Sequence, residues 1–109
     1  IVGAAIASRD YQDVHHDKDA AQALGSPDIF MNILTTNGLV GRYVTDWAGP
    51  SARVKKIAIK LGAPNYPGDN LTLTADIKAL DAASGEVELE VKGANRFGYH
   101  VTGTVVVTL

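Results

Sequence analysis

The spacing of apolar and polar residues changes once along this chain, at Gly49-Pro50. Before that break, Asp28 to Trp47 (DIFMNILTTNGLVGRYVTDW) reads as one long helix. Ser26 is a good cap, and Pro27 suits a first helical position, where a missing N–H costs nothing. Gly49-Pro50 supplies the stop. Such a helix spans roughly 30 Å. In its first half Ile29, Phe30, Met31, Ile33 and Leu34 leave almost no polar side, which predicts burial on more than one face. Gly38 and Gly41 lie inside it, each costing about 1 kcal/mol relative to Ala, and so point to close approach by another backbone. Upstream, Ile1–Ala7 carries β-formers at Ile1, Val2 and Ile6 and reads as a strand-like arm. Ser8–Gly25 is polar and acidic, a loop with a short helix near Lys18–Leu24 in which Ala20, Ala21 and Leu24 share a face.

After Pro50 the period becomes two. Arg53–Leu61 puts Ile57, Ile59 and Leu61 on one face. Gly62–Asp69 (GAPNYPGD) is rich in turn formers. Leu71, Leu73, Ala75, Ile77 and Ala79 make the inner face of the next strand. Val87, Leu89 and Val91 alternate with Glu86, Glu88, Glu90 and Lys92, and Val101, Gly103, Val105, Val107 and Leu109 complete the sheet. The strands follow one another through short turns, which predicts antiparallel pairing. Nine or ten residues of strand extend about 30 Å, matching the helix. The predicted fold is α+β, a hot-dog fold in which one long central helix is wrapped by a curved antiparallel sheet. One sheet covers one side of the helix, so its remaining apolar surface and the sheet edges predict oligomerisation.

Composition narrows the class. The 109 residues make one domain, 1–109, with an ordinary 46% apolar content. No apolar run reaches the length of a membrane span, and no signal-peptide pattern is visible. The absence of cysteine excludes disulfides and thiolate metal sites, and fits a cytoplasmic location. A net charge of −2 without a basic block argues against a nucleic-acid partner.

Ser8–Asp17 (SRDYQDVHHD) holds the candidate chemistry. Asp10, Asp13, Asp17, His15 and His16 fall within eight residues. Three readings are open. The stretch can be a solvated acidic loop. It can hold a metal, although adjacent imidazoles tend to diverge and no further ligand has metal-site spacing, so no metal is expected. Or Asp10 and His15, across a turn, can share one water as an acid–base pair, since carboxylate and imidazole differ in proton affinity.

These residues resemble the MaoC-like (R)-specific enoyl-CoA hydratases, which carry Ser-Gly-Asp-x-Asn-Pro-x-His ahead of the central hot-dog helix. Ser8, Asp10 and His15 match, while Arg9 replaces Gly and Gln12-Asp13 replaces Asn-Pro. The resemblance covers nearly the whole chain. It implies that Asp10 and His15 hold the water added across an α,β-unsaturated acyl thioester, with Ser8 and Gln12 in support. It also implies a backbone N–H at the helix start facing the thioester oxygen, which falls on Met31. No separate cofactor is implied, because coenzyme A belongs to the substrate. RDYQDVHHD with PDIFMNILTTNGLVGRYVTDWAGP is similar to one branch, the small catalytic subunit of actinobacterial heteromeric hydratases acting on steroid side-chain enoyl-CoA in cholesterol degradation. That branch implies a larger MaoC-like partner subunit, through it a thiolase-like aldolase, and an acyl-CoA substrate.

Other positions stay open. Asn37 can line a substrate tunnel or bond a partner chain. Arg53, Lys55, Lys56 and Lys60 can meet phosphates or form a solvated rim. Tyr99 and His100 read as a surface turn beside a hairpin, and Trp47 as core or interface. Two rivals to the hydratase remain, a hot-dog acyl-CoA thioesterase and a non-catalytic acyl-CoA-binding subunit.

Overall fold

A computed structural model describes residues 1–109. In chain order the elements are helix α1 (Val2–Ala7), a 3-10 turn (Asp13–His15), helix α2 (Lys18–Ala23), helix α3 (Ile33–Ala48) and strands β1 (Arg53–Leu61), β2 (Thr72–Asp81), β3 (Glu86–Asn95) and β4 (Gly98–Thr108). The strands form one sheet in the order β1-β4-β3-β2, antiparallel throughout. Strands β2, β3 and β4 are neighbours through tight turns. Strand β1 pairs with β4 instead, so the 62–71 connection carries the chain from one sheet edge to the other.

The core lies between α3 and the sheet. Thr36, Val40 and Val44, four residues apart, form a single buried stripe on α3. It packs over Val87, Leu89 and Val91 of β3 and Val101, Val105 and Val107 of β4, the alternation that the sequence predicts. Strand β2 departs from its predicted pattern. A register shift between Ile77 and Ala79 pairs Ala79 with Glu88 and Leu80 with Val87. Directly paired residues share a face, so beyond the bulge Leu80 replaces Ala79 on the inner side.

Three expectations about the helices are corrected. Ile1–Ala7 contains a helix, not a strand: Ala4, Ala5 and Ala7 are strong helix formers, and Ala5 is fully buried. The long helix starts at Ile33 rather than near Pro27. Asn32 is its N-cap, accepting the Thr35 N–H (3.3 Å), and the preceding backbone is spent elsewhere: Phe30 N–H on Val14 O (3.2 Å) and Met31 N–H on Asn65 O (2.9 Å). Finally, α3 is buried on one face only. Ile33 and Leu34 are each 49% exposed and Trp47 52%, and a Cβ on Gly38 would meet nothing. No helix is long and apolar enough to cross a membrane.

His100 is not on a surface turn but 2% exposed, in β4. Its Nδ1–H donates to Ala63 O (2.7 Å), which leaves Nε2 to accept the Thr36 hydroxyl (2.8 Å). The imidazole thus ties α3 to the sheet and to the crossing 62–71 segment. His100→Leu would leave the Ala63 carbonyl without this donor and should destabilise the fold by about 1–3 kcal/mol. A denaturant midpoint equal to that of the unsubstituted protein would refute this.

Candidate active site

Two short segments and one helix terminus build the site. Helix α1 delivers Ser8 and Asp10 through a tight exit, with Arg9 N–H on Ile6 O (2.9 Å) and Asp10 N–H on Ala5 O (2.9 Å). Arg9 makes that turn at φ 57°. This is left-handed backbone, which glycine adopts without strain, so the glycine of the related motif has a conformational reason that Arg9 meets at a cost of about 1–2 kcal/mol. The 3-10 turn then brings His15 back onto Asp10.

His15 is 5% exposed. Its Nδ1 lies 2.7 Å from Phe30 O, and a carbonyl can only accept, so Nδ1 carries the proton. The Phe30 ring packs edge-on against it at 5.0 Å. The other ring nitrogen, Nε2, lies 3.5 Å from Asp10 Oδ2, and in the neutral imidazole it presents a lone pair there. One water donating a proton to each would satisfy both acceptors. The Gln12 backbone N–H on Oδ1 (3.2 Å) is the main cause holding the Asp10 carboxyl below the ordinary aspartate range. Asn32, His15 and His16 add to it, and partial desolvation opposes it. Asp10 is thus a carboxylate at neutral pH.

The remaining predicted residues divide. Ser8 is in the cluster: its Oγ accepts from Asn32 Nδ2 (3.0 Å) and donates to Ala4 O (2.9 Å). Gln12 supports Asp10 through its backbone, while its side chain is exposed and makes no hydrogen bond within the chain. Asn37 sits on the outer face of α3, one turn beyond exposed Ile33, and bonds nothing in this chain. The Met31 N–H is not free for a ligand. The residues just ahead of Asn32 lie outside the helix, so this N–H turns sideways to the Asn65 carbonyl. The first α3 donors without a partner in the chain are the N–H groups of Ile33 and Leu34.

Sequence reasoning missed two participants. Asn32, 1% exposed, donates from Nδ2 to Asp10 Oδ2 (3.1 Å) as well as to Ser8. The available signal was a strong capping residue interrupting an apolar run, but Ser26-Pro27 offered a competing start. His16, expected to turn away, donates from Nε2 to the Asp10 carbonyl (2.8 Å). The two imidazoles serve different carbonyls and do not converge on one point.

Residues 1–96 match the family model for the MaoC like domain. The chain belongs to the MaoC-like family. A curated relative, the 3-oxo-4,17-pregnadiene-20-carboxyl-CoA hydratase beta subunit of Mycobacterium tuberculosis, is 52% identical over the whole chain and 83% of its own length. A chain in the crystal structure of the ChsH1-ChsH2 complex from the same organism superposes with a TM-score of 0.96 at 52% identity, covering all of this chain and 84% of that one. The (R)-hydratase from A. caviae involved in PHA biosynthesis shares the fold, with a TM-score of 0.88 at 20% identity over 96% of this chain and 81% of that one. The arrangement is the hot-dog fold that the sequence predicts.

The His16 contact gives a test that separates geometry from chemistry. Glutamine can place its amide N–H near the position of imidazole Nε2, so His16→Gln should keep most of the activity of the assembled enzyme. His16→Leu cannot donate, and should lose on the order of ten-fold or more through displacement of Asp10. Equal rates for the two variants would refute a positioning contact.

Proposed function

We propose that this chain is the water-activating subunit of an enoyl-CoA hydratase whose substrate is a steroid side-chain enoyl-CoA. The observation that carries the reading is the Asp10–His15 pair: Nδ1 is held by the Phe30 carbonyl, and Nε2 faces an ionised carboxylate 3.5 Å away. Water held between them attacks Cβ of the α,β-unsaturated thioester through its oxygen. One of its protons passes to the pair, and the pair returns a proton to Cα, giving a β-hydroxyacyl-CoA and restoring both groups. The two residues titrate as a unit, so the division of acid and base roles belongs to the pair. The enolate oxygen formed on the way is favoured by the positive end of α3, where the Ile33 and Leu34 N–H groups are unpaired. No cofactor is required, since coenzyme A arrives with the substrate.

The substrate assignment rests on the 52% identical relative named for a steroid carboxyl-CoA. A larger MaoC-like subunit completes the site, as the two-protein complex of the matching structure suggests. Exposed Ile33 and Leu34 beside the site are the surface that such a subunit would cover. A thiolase-like aldolase reached through the larger subunit would cleave the product. This last link rests on resemblance to the branch alone.

Two experiments test the reading. Asp10→Asn keeps shape but removes carboxylate chemistry, and His15→Ala removes the imidazole. Each should lower hydration by about 10²–10⁴-fold without preventing assembly. Loss of conjugated-thioester absorbance is the assay, and release of free coenzyme A would indicate a thioesterase instead. In the second, the chain alone should self-associate and hydrate poorly, while co-expression with the larger subunit yields a soluble complex active on a steroid-sized enoyl-CoA. An active homodimer, sized by chromatography with mass detection, would overturn the mixed site but leave the chemistry standing.

A further inference from the structure

We infer that Asn32 is a positioning residue for the hydration step, its one amide both fixing the Asp10 carboxylate opposite His15 and starting helix α3. The inference rests on the hydratase reading above. Asn32 is 1% exposed, and its hydrogen-bonding capacity is almost fully used. Both Nδ2 hydrogens are spent, on Ser8 Oγ (3.0 Å) and Asp10 Oδ2 (3.1 Å). Oδ1 accepts from the Thr35 N–H (3.3 Å) and from the Thr35 hydroxyl. The amide has one possible orientation: a backbone N–H cannot accept and a carboxylate cannot donate, so the oxygen faces the helix and the nitrogen faces Asp10.

The cap and the clamp make different demands, which allows them to be separated. A cap needs only an oxygen. Holding Asp10 needs a donor, because an ionised carboxylate oxygen can only accept, and Oδ2 has His15 Nε2 on its other side, 3.5 Å away. A second acceptor in place of the Asn32 NH₂ would turn the carboxylate away from His15 and favour its protonation. The charged groups facing Asp10 are few. His15 and His16 approach from the 3-10 turn and its end, α1 contributes no ionisable side chain, and the first turn of α3 holds no acid. Asn32 is therefore the donor on the α3 side.

Asn32→Asp is the informative substitution. Its carboxylate keeps the capping oxygen and suits the positive helix end, so assembly and thermal stability should hold. It places an oxygen where the donor was, about 3 Å from Asp10 Oδ2, a separation at which two carboxylates cannot both ionise freely. In the assembled complex, kcat should fall about 10²-fold with little change in KM. The acid limb of the pH–rate profile should move to higher pH, because Asp10 must be ionised to work and its protonation becomes easier. Asn32→Ser keeps a cap but is too short to reach Asp10, and should also lower kcat. It decides the matter if the Asp variant fails to assemble.

Asp10→Asn, measured in parallel, separates this inference from the reading beneath it. An active Asp10→Asn complex would sink the hydratase assignment and this inference together. An inactive Asp10→Asn complex, alongside an Asn32→Asp complex with native kcat and an unmoved acid limb, would overturn the role of Asn32 alone. So would an Asn32→Ser complex with native kcat, or activity losses that merely follow losses of thermal stability.

Discussion

The start of helix α3 is the constraint on which the rest of this structure depends. Because Asn32 caps the helix, residues 28–31 stay outside it, and their backbone groups are free to bond sideways. Phe30 then offers its N–H to Val14 and its carbonyl to His15, so one peptide segment both anchors the 3-10 turn and sets the His15 tautomer. Met31 ties the same segment to Asn65. Had the helix begun at Pro27, those groups would have entered intrahelical bonds and His15 would have lost its orienting acceptor. The capping amide also holds Asp10, which couples the helix register to the geometry of the Asp10–His15 pair.

The supporting frame keeps that terminus in place from the other side. Thr36, one turn into α3, meets His100 of β4, and His100 meets Ala63 in the segment that crosses between the sheet edges. Farther along that segment, Asn95 donates to Pro64 O (2.9 Å) and Asn65 Oδ1 (3.2 Å), and Arg96 pairs with the nearly buried Asp69 carboxylate at 2.9 Å. These polar contacts cluster at the end of the molecule that carries the site. The apolar core of valines runs down the rest of α3.

The opposite face of α3 is unfinished in a single chain. Only 16 of 109 residues are buried, and Ile33, Leu34, Trp47, Ile77 and Leu80 are about half exposed or more. Trp47 and Ile77 line an apolar groove with Tyr43 and Ala75 between α3 and the sheet. A core this small leaves little stabilisation beyond the entropy cost of folding, so burial against a second subunit is the physical means of completing it. The free helix N–H groups lie beside that uncovered surface. An unlike partner could therefore shape the acyl site without disturbing Asp10 and His15.

The sequence by itself determined the class of fold and marked the candidate pair. Period-two patterning fixed which faces of β3 and β4 are buried, because a one-residue slip would expose every valine. Spacing alone left three readings of Ser8–Asp17 open, and the resemblance of Ser8, Asp10 and His15 to the family motif singled out one of them. Tertiary structure decided whatever depended on competition between local signals. It turned Ile1–Ala7 into helix, moved the helix cap from Ser26 to Asn32, buried His100, bulged β2 at Lys78 and placed β1 beside β4. In each case several local conformations differ by only about 1 kcal/mol in propensity, and a long-range hydrogen bond or packed side chain is enough to choose between them. Asn32 stayed hidden for that reason. Its partners Ser8 and Asp10 lie more than twenty residues away, and only the folded chain brings the donor to the carboxylate.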